Sequence, residues 1–136
     1  IALADRTGGP AGSRRLCWTP EWAEARAMLR EELSTLPVEV EQDEAGNLWA
    51  YLRGQSADTV VVGSHLDSVP AGGWLDGALG VMGGLEVLRS LAASPTPPQR
   101  SFALVDWADE EGARFSRSLF GSGAVVGTLD IDILRG

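Results

Sequence analysis

The side chains best suited to chemistry are one histidine and a set of acids. His65 and Asp67 stand two apart in Gly63-Ser64-His65-Leu66-Asp67. Asp76 follows nine residues after Asp67, in the glycine-rich segment Ala71-Gly72-Gly73-Trp74-Leu75-Asp76-Gly77. Glu110 and Glu111 are adjacent in Asp109-Glu110-Glu111-Gly112. One imidazole with several carboxylates is a donor set for a divalent cation such as zinc or manganese. On a strand, His65 and Asp67 fall on the same side, so the acid can hydrogen-bond one ring nitrogen and leave the other for a metal. Each residue also has a plainer reading. His65 alone fits a hydrogen-bonded core histidine, Asp67 a turn former before Pro70, Asp76 an N-cap, and Glu110 and Glu111 a solvated strand end. Singly the signals are weak; their order and spacing together are more specific.

The elements that must position these residues read as an alternation of strands and helices. Thr19-Pro20-Glu21 is a helix start, with a capping hydroxyl, a proline at the first helical position and an acid in the first turn. Trp22, Ala25, Met28, Leu29 and Leu33 recur at helical spacing, which predicts a helix over 20–36 closed by Pro37. Residues 38–43 alternate and residues 48–53 follow the turn Glu44-Ala45-Gly46-Asn47, the pattern of a hairpin. Thr59 to His65 is β-branched and continuously apolar, which predicts a strand buried on both faces. Gly77 to Leu91 reads as a helix, Ser94 to Pro98 as a loop, Ser101 to Ala108 as a second buried strand, and Gly121 to Gly127 as a helix or turn. Strand, helix, strand implies a parallel pair with a right-handed crossover. Such sheets hold ligands outside the carboxyl ends of their strands, where His65-Leu66-Asp67 and Asp109-Glu110-Glu111 fall. Residues 1–17, rich in glycine and serine, read as loop.

Composition narrows the function. The chain has 136 residues, 11 Lys+Arg against 19 Asp+Glu, and a formal net charge of −8. That balance argues against nucleic acid or an anionic membrane as partner. No apolar run approaches the roughly 18 residues of a membrane span. One cysteine, Cys17, excludes an intrachain disulfide and favours a reducing, cytoplasmic setting. The start Ile1-Ala2-Leu3-Ala4-Asp5 carries no secretory pattern, and the absent Met suggests a trimmed, processed or fragmentary chain. The five tryptophans read as packing groups, with Trp74 kept open because it neighbours Asp76. Arg114 reads as a partner for nearby acids ahead of an anchor for a substrate carboxylate.

Three segments carry a family resemblance: Gly63-Ser64-His65-Leu66-Asp67-Ser68-Val69-Pro70, Gly72 to Val81, and Glu110-Glu111-Gly112-Ala113-Arg114-Phe115. Together they resemble the two-metal hydrolases of the aminoacylase/carboxypeptidase superfamily, in particular the branch of N-carbamoyl-L-amino acid hydrolases, allantoate amidohydrolases and β-ureidopropionases. The likeness runs from about Arg14 to Gly127. It implies an α/β fold, a partial three-layer sheet-and-helix domain with a mostly parallel sheet, forming the N-terminal part of a two-metal hydrolase catalytic domain. It implies that His65 ligates one metal, Asp76 bridges two, and Glu111 ligates the second. Glu110 would be the general base toward the attacking water, and Asp67 would hold the His65 tautomer. It implies two divalent metal ions (zinc, manganese, cobalt or nickel), a small carbamoyl or ureido acid as substrate, and a homodimeric full-length parent.

The sequence departs from that family in one large respect. The family site uses two further histidines, and His65 is the only one here. The family also inserts a smaller lid and dimerisation domain, for which 136 residues leave no room. Residues 1–136 are therefore expected to be the N-terminal part of a catalytic domain, with weak metal affinity and no turnover alone. The substrate-binding residues are not legible in this stretch. A metallopeptidase or aminoacylase of the same superfamily, or a non-catalytic α/β binding module, are the competing readings. All of them turn on whether the imidazole and the acids at 76, 110 and 111 converge at one rim of the sheet.

Overall fold

A computed structural model describes residues 2–129. The elements run α1 (Ala2–Thr7), β1 (Gly8–Gly9), β2 (Gly12–Ser13), α2 (Pro20–Leu33), β3 (Glu39–Gln42), β4 (Leu48–Leu52), β5 (Ser56–His65), α3 (Ala78–Ala92), β6 (Arg100–Trp107) and α4 (Phe120–Val125). The α2 start follows from its sequence: the Thr19 hydroxyl accepts from the Trp22 N–H, and Pro20 occupies the first turn. Residues 1–17, read as loop, instead hold α1 and the β1–β2 hairpin over the described residues. A six-residue helix shows no period; α1 is held by packing, with Leu3 against the core and an ion pair from Arg6 to Glu24 on α2.

The main sheet has the order β3-β4-β6-β5. The β3–β4 and β4–β6 pairs are antiparallel and β5–β6 is parallel. The α/β architecture agrees with the sequence, but the sheet is mixed rather than mostly parallel. The five-residue connection after β3 is too short for anything but an antiparallel return, and β4 then lies directly beside β6. The strand–helix–strand unit β5–α3–β6 supplies the one parallel pair.

One face of the sheet carries the core. Ala25, Leu29 and Leu33 of α2 and Val81, Leu85 and Leu88 of α3 close over Leu48, Ala50, Leu52 and Leu104. The opposite face presents Trp49, Ala103 and Val105, with Tyr51 and Trp107 packed beside them, and no described helix covers it. Two of the three expected layers are therefore present among the described residues. The expectation that β5 is buried on both faces does not hold: β5 is an edge strand, with Val60 39% and Val61 49% exposed. A continuous apolar run records what a strand is built to bury, not what covers it. No described helix is long and apolar enough to cross a membrane.

Candidate metal centre

The carboxyl ends of β5 and β6 lie side by side, with His65 opposite Trp107 in the parallel register. Beyond β6 the chain bends sharply at Asp109, whose φ is +51°. In a continuing strand Glu110 and Glu111 would point to opposite faces. After the bend, one donor atom from each lies with a ring nitrogen of His65, all three within 4.8 Å of one another. Both glutamates are half-buried and His65 is buried.

Asp67 organises this group through two different atoms. Its backbone carbonyl oxygen lies 3.0 Å from Nδ1 of His65. A carbonyl only accepts, so Nδ1 carries the proton, and in the neutral ring Nε2 keeps its lone pair. Its carboxylate is 3.6 Å from Nδ1 and instead accepts the N–H groups of Glu110 and Glu111, at 3.3 and 3.1 Å. Asp67 thus touches all three members of the group, and the tautomer is set by its main chain rather than its carboxylate.

Asp76 stands outside the 4.8 Å group, exposed, on the strap of residues 71–77, whose last residue, Gly77, lies against His65. Gly77 beside it has φ +63°, and a Cβ there would lie 2.5 Å from Cε1 and Nδ1 of His65. The plainer reading of Asp76 as an N-cap does not hold: the cap position of α3 is Gly77, and no side chain caps it. The Asp76 carboxylate is therefore not occupied by the helix, and its charge acts on Glu111.

Burial raises the Glu111 carboxyl above the usual range, opposed by His65 and reinforced by the negative charges of Asp76, Glu110 and Asp67. Burial also raises Asp109, with Asp67 adding to the shift and Arg114 opposing it. An acid cluster of this kind accumulates negative charge that a cation relieves. The donors suit a divalent ion: one neutral imidazole nitrogen and two carboxylate oxygens.

Several supporting residues gave no signal in the sequence. Asn47, read only as part of a turn, is fully buried. Its Nδ2 donates to Asp43 and to the Gly121 carbonyl, and its Oδ1 accepts the Ala108 N–H at 2.9 Å, one residue before the bend. Arg26 and Asp106 form a buried ion pair at 2.6 Å, and burial pushes Asp106 up to about 6 against the pull of that arginine. Among the described residues Arg114 does not pair with an acid; it donates to the carbonyls of Trp18 and Cys17 and lies over the Phe115 ring. Cys17 is buried, and its thiol is pushed up to about 12 by burial and then by Asp67 and Asp109, so it is protonated and inert at neutral pH. Trp74, on the strap, is half-exposed.

An imidazole–carboxylate group at the carboxyl ends of the parallel strands of an α/β sheet is a setting suited to a divalent cation. The chain belongs to peptidase family M28, whose model matches residues 47–132. Among curated proteins it is 38% identical over 118 residues to the allantoate amidohydrolase of Bacillus subtilis (strain 168), an alignment covering 85% of this chain and 29% of that protein. It is 38% identical over 126 residues to the N-carbamoyl-L-amino acid amidohydrolase of Geobacillus stearothermophilus, covering 91% of this chain and 31% of the relative. Its backbone superposes on the crystal structure of a hydantoinase/carbamoylase family amidase from Burkholderia ambifaria with a TM-score of 0.91. That match has 36% identity and covers 97% of this chain and 33% of that one. The chain thus spans about a third of the length of these relatives.

Proposed function

We propose that this chain supplies part of the metal centre of an amidohydrolase that cleaves the carbamoyl or ureido C–N bond of a small acid. The observation that carries the reading is the pair of acceptors at the sheet rim. Nε2 of His65, left with its lone pair, faces Oε2 of Glu110 at 3.5 Å, with Glu111 in the same group. Acceptors crowded in this way call for a cation, held in this reading by His65 and Glu111, with the Glu110 carboxylate beside it and free to take a proton.

In this reading His65, Asp76 and Glu111 hold two divalent metal ions, of which zinc, manganese, cobalt and nickel all suit the donors. Bound there, the metals supply Lewis-acid polarisation of the scissile carbonyl and acidify the attacking water. Glu110 takes the proton from that water and returns it to the departing nitrogen. For a carbamoyl substrate the products are the amine, ammonia and carbon dioxide. Asp67 fixes the His65 ring and the backbone of both glutamates, so the base and the ligands keep one geometry. The substrate is a small molecule rather than a nucleic acid or a membrane, the setting cytoplasmic, and the complete enzyme a homodimer. The likeness to two amidohydrolases supports the carbamoyl and ureido class over a peptidase.

The test grafts this chain in place of the matching third of the Geobacillus relative. Zinc- or manganese-dependent ammonia release from N-carbamoyl-L-amino acids or allantoate, lost in Glu110→Gln, is the expected result. Release from dipeptides or N-acyl amino acids alone would favour the peptidase or aminoacylase alternative. A folded, metal-loaded graft that turns over none of these substrates would leave the binding-module reading.

A further inference from the structure

Arg15 and Asp106 lie outside the ligand group, yet both act on the backbone that joins its parts. Leu66 sits between His65 and Asp67. Its N–H, in the peptide group leaving His65, donates to Oδ1 of Asp106 at 2.7 Å. Its carbonyl, in the peptide group entering Asp67, accepts from Nε of Arg15 at 2.6 Å. Arg15 and Asp106 are both fully buried. The attachment is doubled on the Arg15 side: its own N–H donates to the Ser68 hydroxyl at 3.1 Å, and the Ser68 N–H returns to the Arg15 carbonyl at 2.9 Å. Nη1 of Arg15 donates to Ser13, while Nη2 has no hydrogen-bond partner among the described residues. On the other side, Arg26 holds Asp106 by its carboxylate and by its backbone carbonyl.

Two buried charges of opposite sign therefore grip one residue from opposite sides. Burying ions is costly, and a loop that needed only a satisfied amide and carbonyl could use neutral partners. Charge-assisted hydrogen bonds are shorter and stronger than neutral ones, and they hold the two peptide planes against rotation. Rotation about Leu66 or Asp67 would carry the Asp67 carbonyl away from Nδ1 of His65. It would also carry the Asp67 carboxylate away from the N–H groups of Glu110 and Glu111.

We propose that Arg15 and Asp106 are positioning residues: by clamping Leu66 from both sides they fix the Asp67 carbonyl that selects the metal-ligating tautomer of His65. The inference rests on the metal-centre reading for its purpose, but the clamp and its effect on the ring are testable without metal.

His65 is the only histidine in the sequence, so its imidazole nitrogen signals need no assignment. In the metal-free 136-residue chain at a pH where the ring is neutral, nitrogen NMR is expected to show the Nδ1–H tautomer, whereas a free imidazole favours Nε2–H. The Leu66 amide is expected to exchange with solvent about 100-fold or more slower than an open loop amide. Arg15→Met should shift the ring toward Nε2–H and weaken zinc binding by about 10–100-fold. Arg15→Lys, which keeps one donor for the Leu66 carbonyl, should recover part of both losses. A folded Arg15→Met protein with unchanged tautomer and zinc affinity overturns the proposal. If that variant does not fold, the unsubstituted chain still decides: an Nε2–H ring, or a Leu66 amide exchanging like a free one, is equally fatal. A chain with the expected tautomer that binds no zinc would instead sink the metal reading and leave the clamp standing.

Discussion

Replacing Gly77 with alanine tests the closeness of the strap to the histidine. Two costs add. At φ +63° and ψ −49° the backbone lies outside the left-handed helical region, and an L-residue there pays about 1–3 kcal/mol. The new Cβ would stand 2.5 Å from Cε1 and Nδ1 of His65, and closer still to its backbone carbonyl oxygen, against an ordinary contact of 3.4 Å, so the strap must retreat by about 0.9 Å or more. The ring cannot swing freely, because Nδ1 is bonded to the Asp67 carbonyl, and overpacking of this kind costs about 1–3 kcal/mol. Gly77→Ala should therefore lose about 2–6 kcal/mol and at least about tenfold in zinc affinity. Gly83→Ala is the control: it lies in α3, nothing stands within 4 Å of its Cβ position, and it should gain up to about 1 kcal/mol. Urea unfolding of the metal-free proteins and calorimetric zinc titration measure both effects. If Gly77→Ala is as stable as Gly83→Ala and binds zinc within about twofold of the parent, the strap does not press on the ring as described.

Three further outcomes follow from the same geometry. Asn47→Ala should lose about 2–4 kcal/mol in thermal unfolding, because it strands the Ala108 N–H and the Gly121 carbonyl in the interior; a loss below about 0.5 kcal/mol would mean water replaces the side chain. Asp106 titrates near 6 when folded and near 3.8 when unfolded, so between those values the folded state binds more protons. Its contribution to stability should thus rise as pH falls from about 6 toward 4 and decline as pH climbs. The contribution is on the order of 2–3 kcal/mol, and Asp106→Asn should remove that slope from a pH series of melting curves. Zinc at about 100 times its dissociation constant should stabilise the chain by about 2.7 kcal/mol; chelator should reverse this, and His65→Ala should show no zinc-dependent shift.

The helix α2, the hairpin and the strand ends that carry the site were legible because each has a local cause. Thr19 and Pro20 announce a helix, and alternation followed by a glycine turn announces the hairpin. The histidine and the acids were legible as a set because few other roles explain their shared order. What escaped was non-local. Nothing in the neighbourhood of Arg15, Asn47 or Asp106 tells that their partners lie 51, 61 and 40 residues away. The edge position of β5 also escaped, because strand order depends on which strand β4 chooses as its neighbour. The N-terminal helix was too short to show a period at all.

The bend at Asp109 has a consequence for how this site tolerates change. The two glutamates share a pocket because the backbone turns at Asp109 and the Asp67 carboxylate holds both of their N–H groups, and no described hydrogen bond from the Asp109 side chain enforces their common direction. Glycine or asparagine, which accept a left-handed backbone, should keep both carboxylates together, whereas valine or isoleucine would pull the chain back toward the pleat and divide them. The identity of the residue at 109 is free within a small alphabet, while its torsion is not. The address of the acids is written in the main chain.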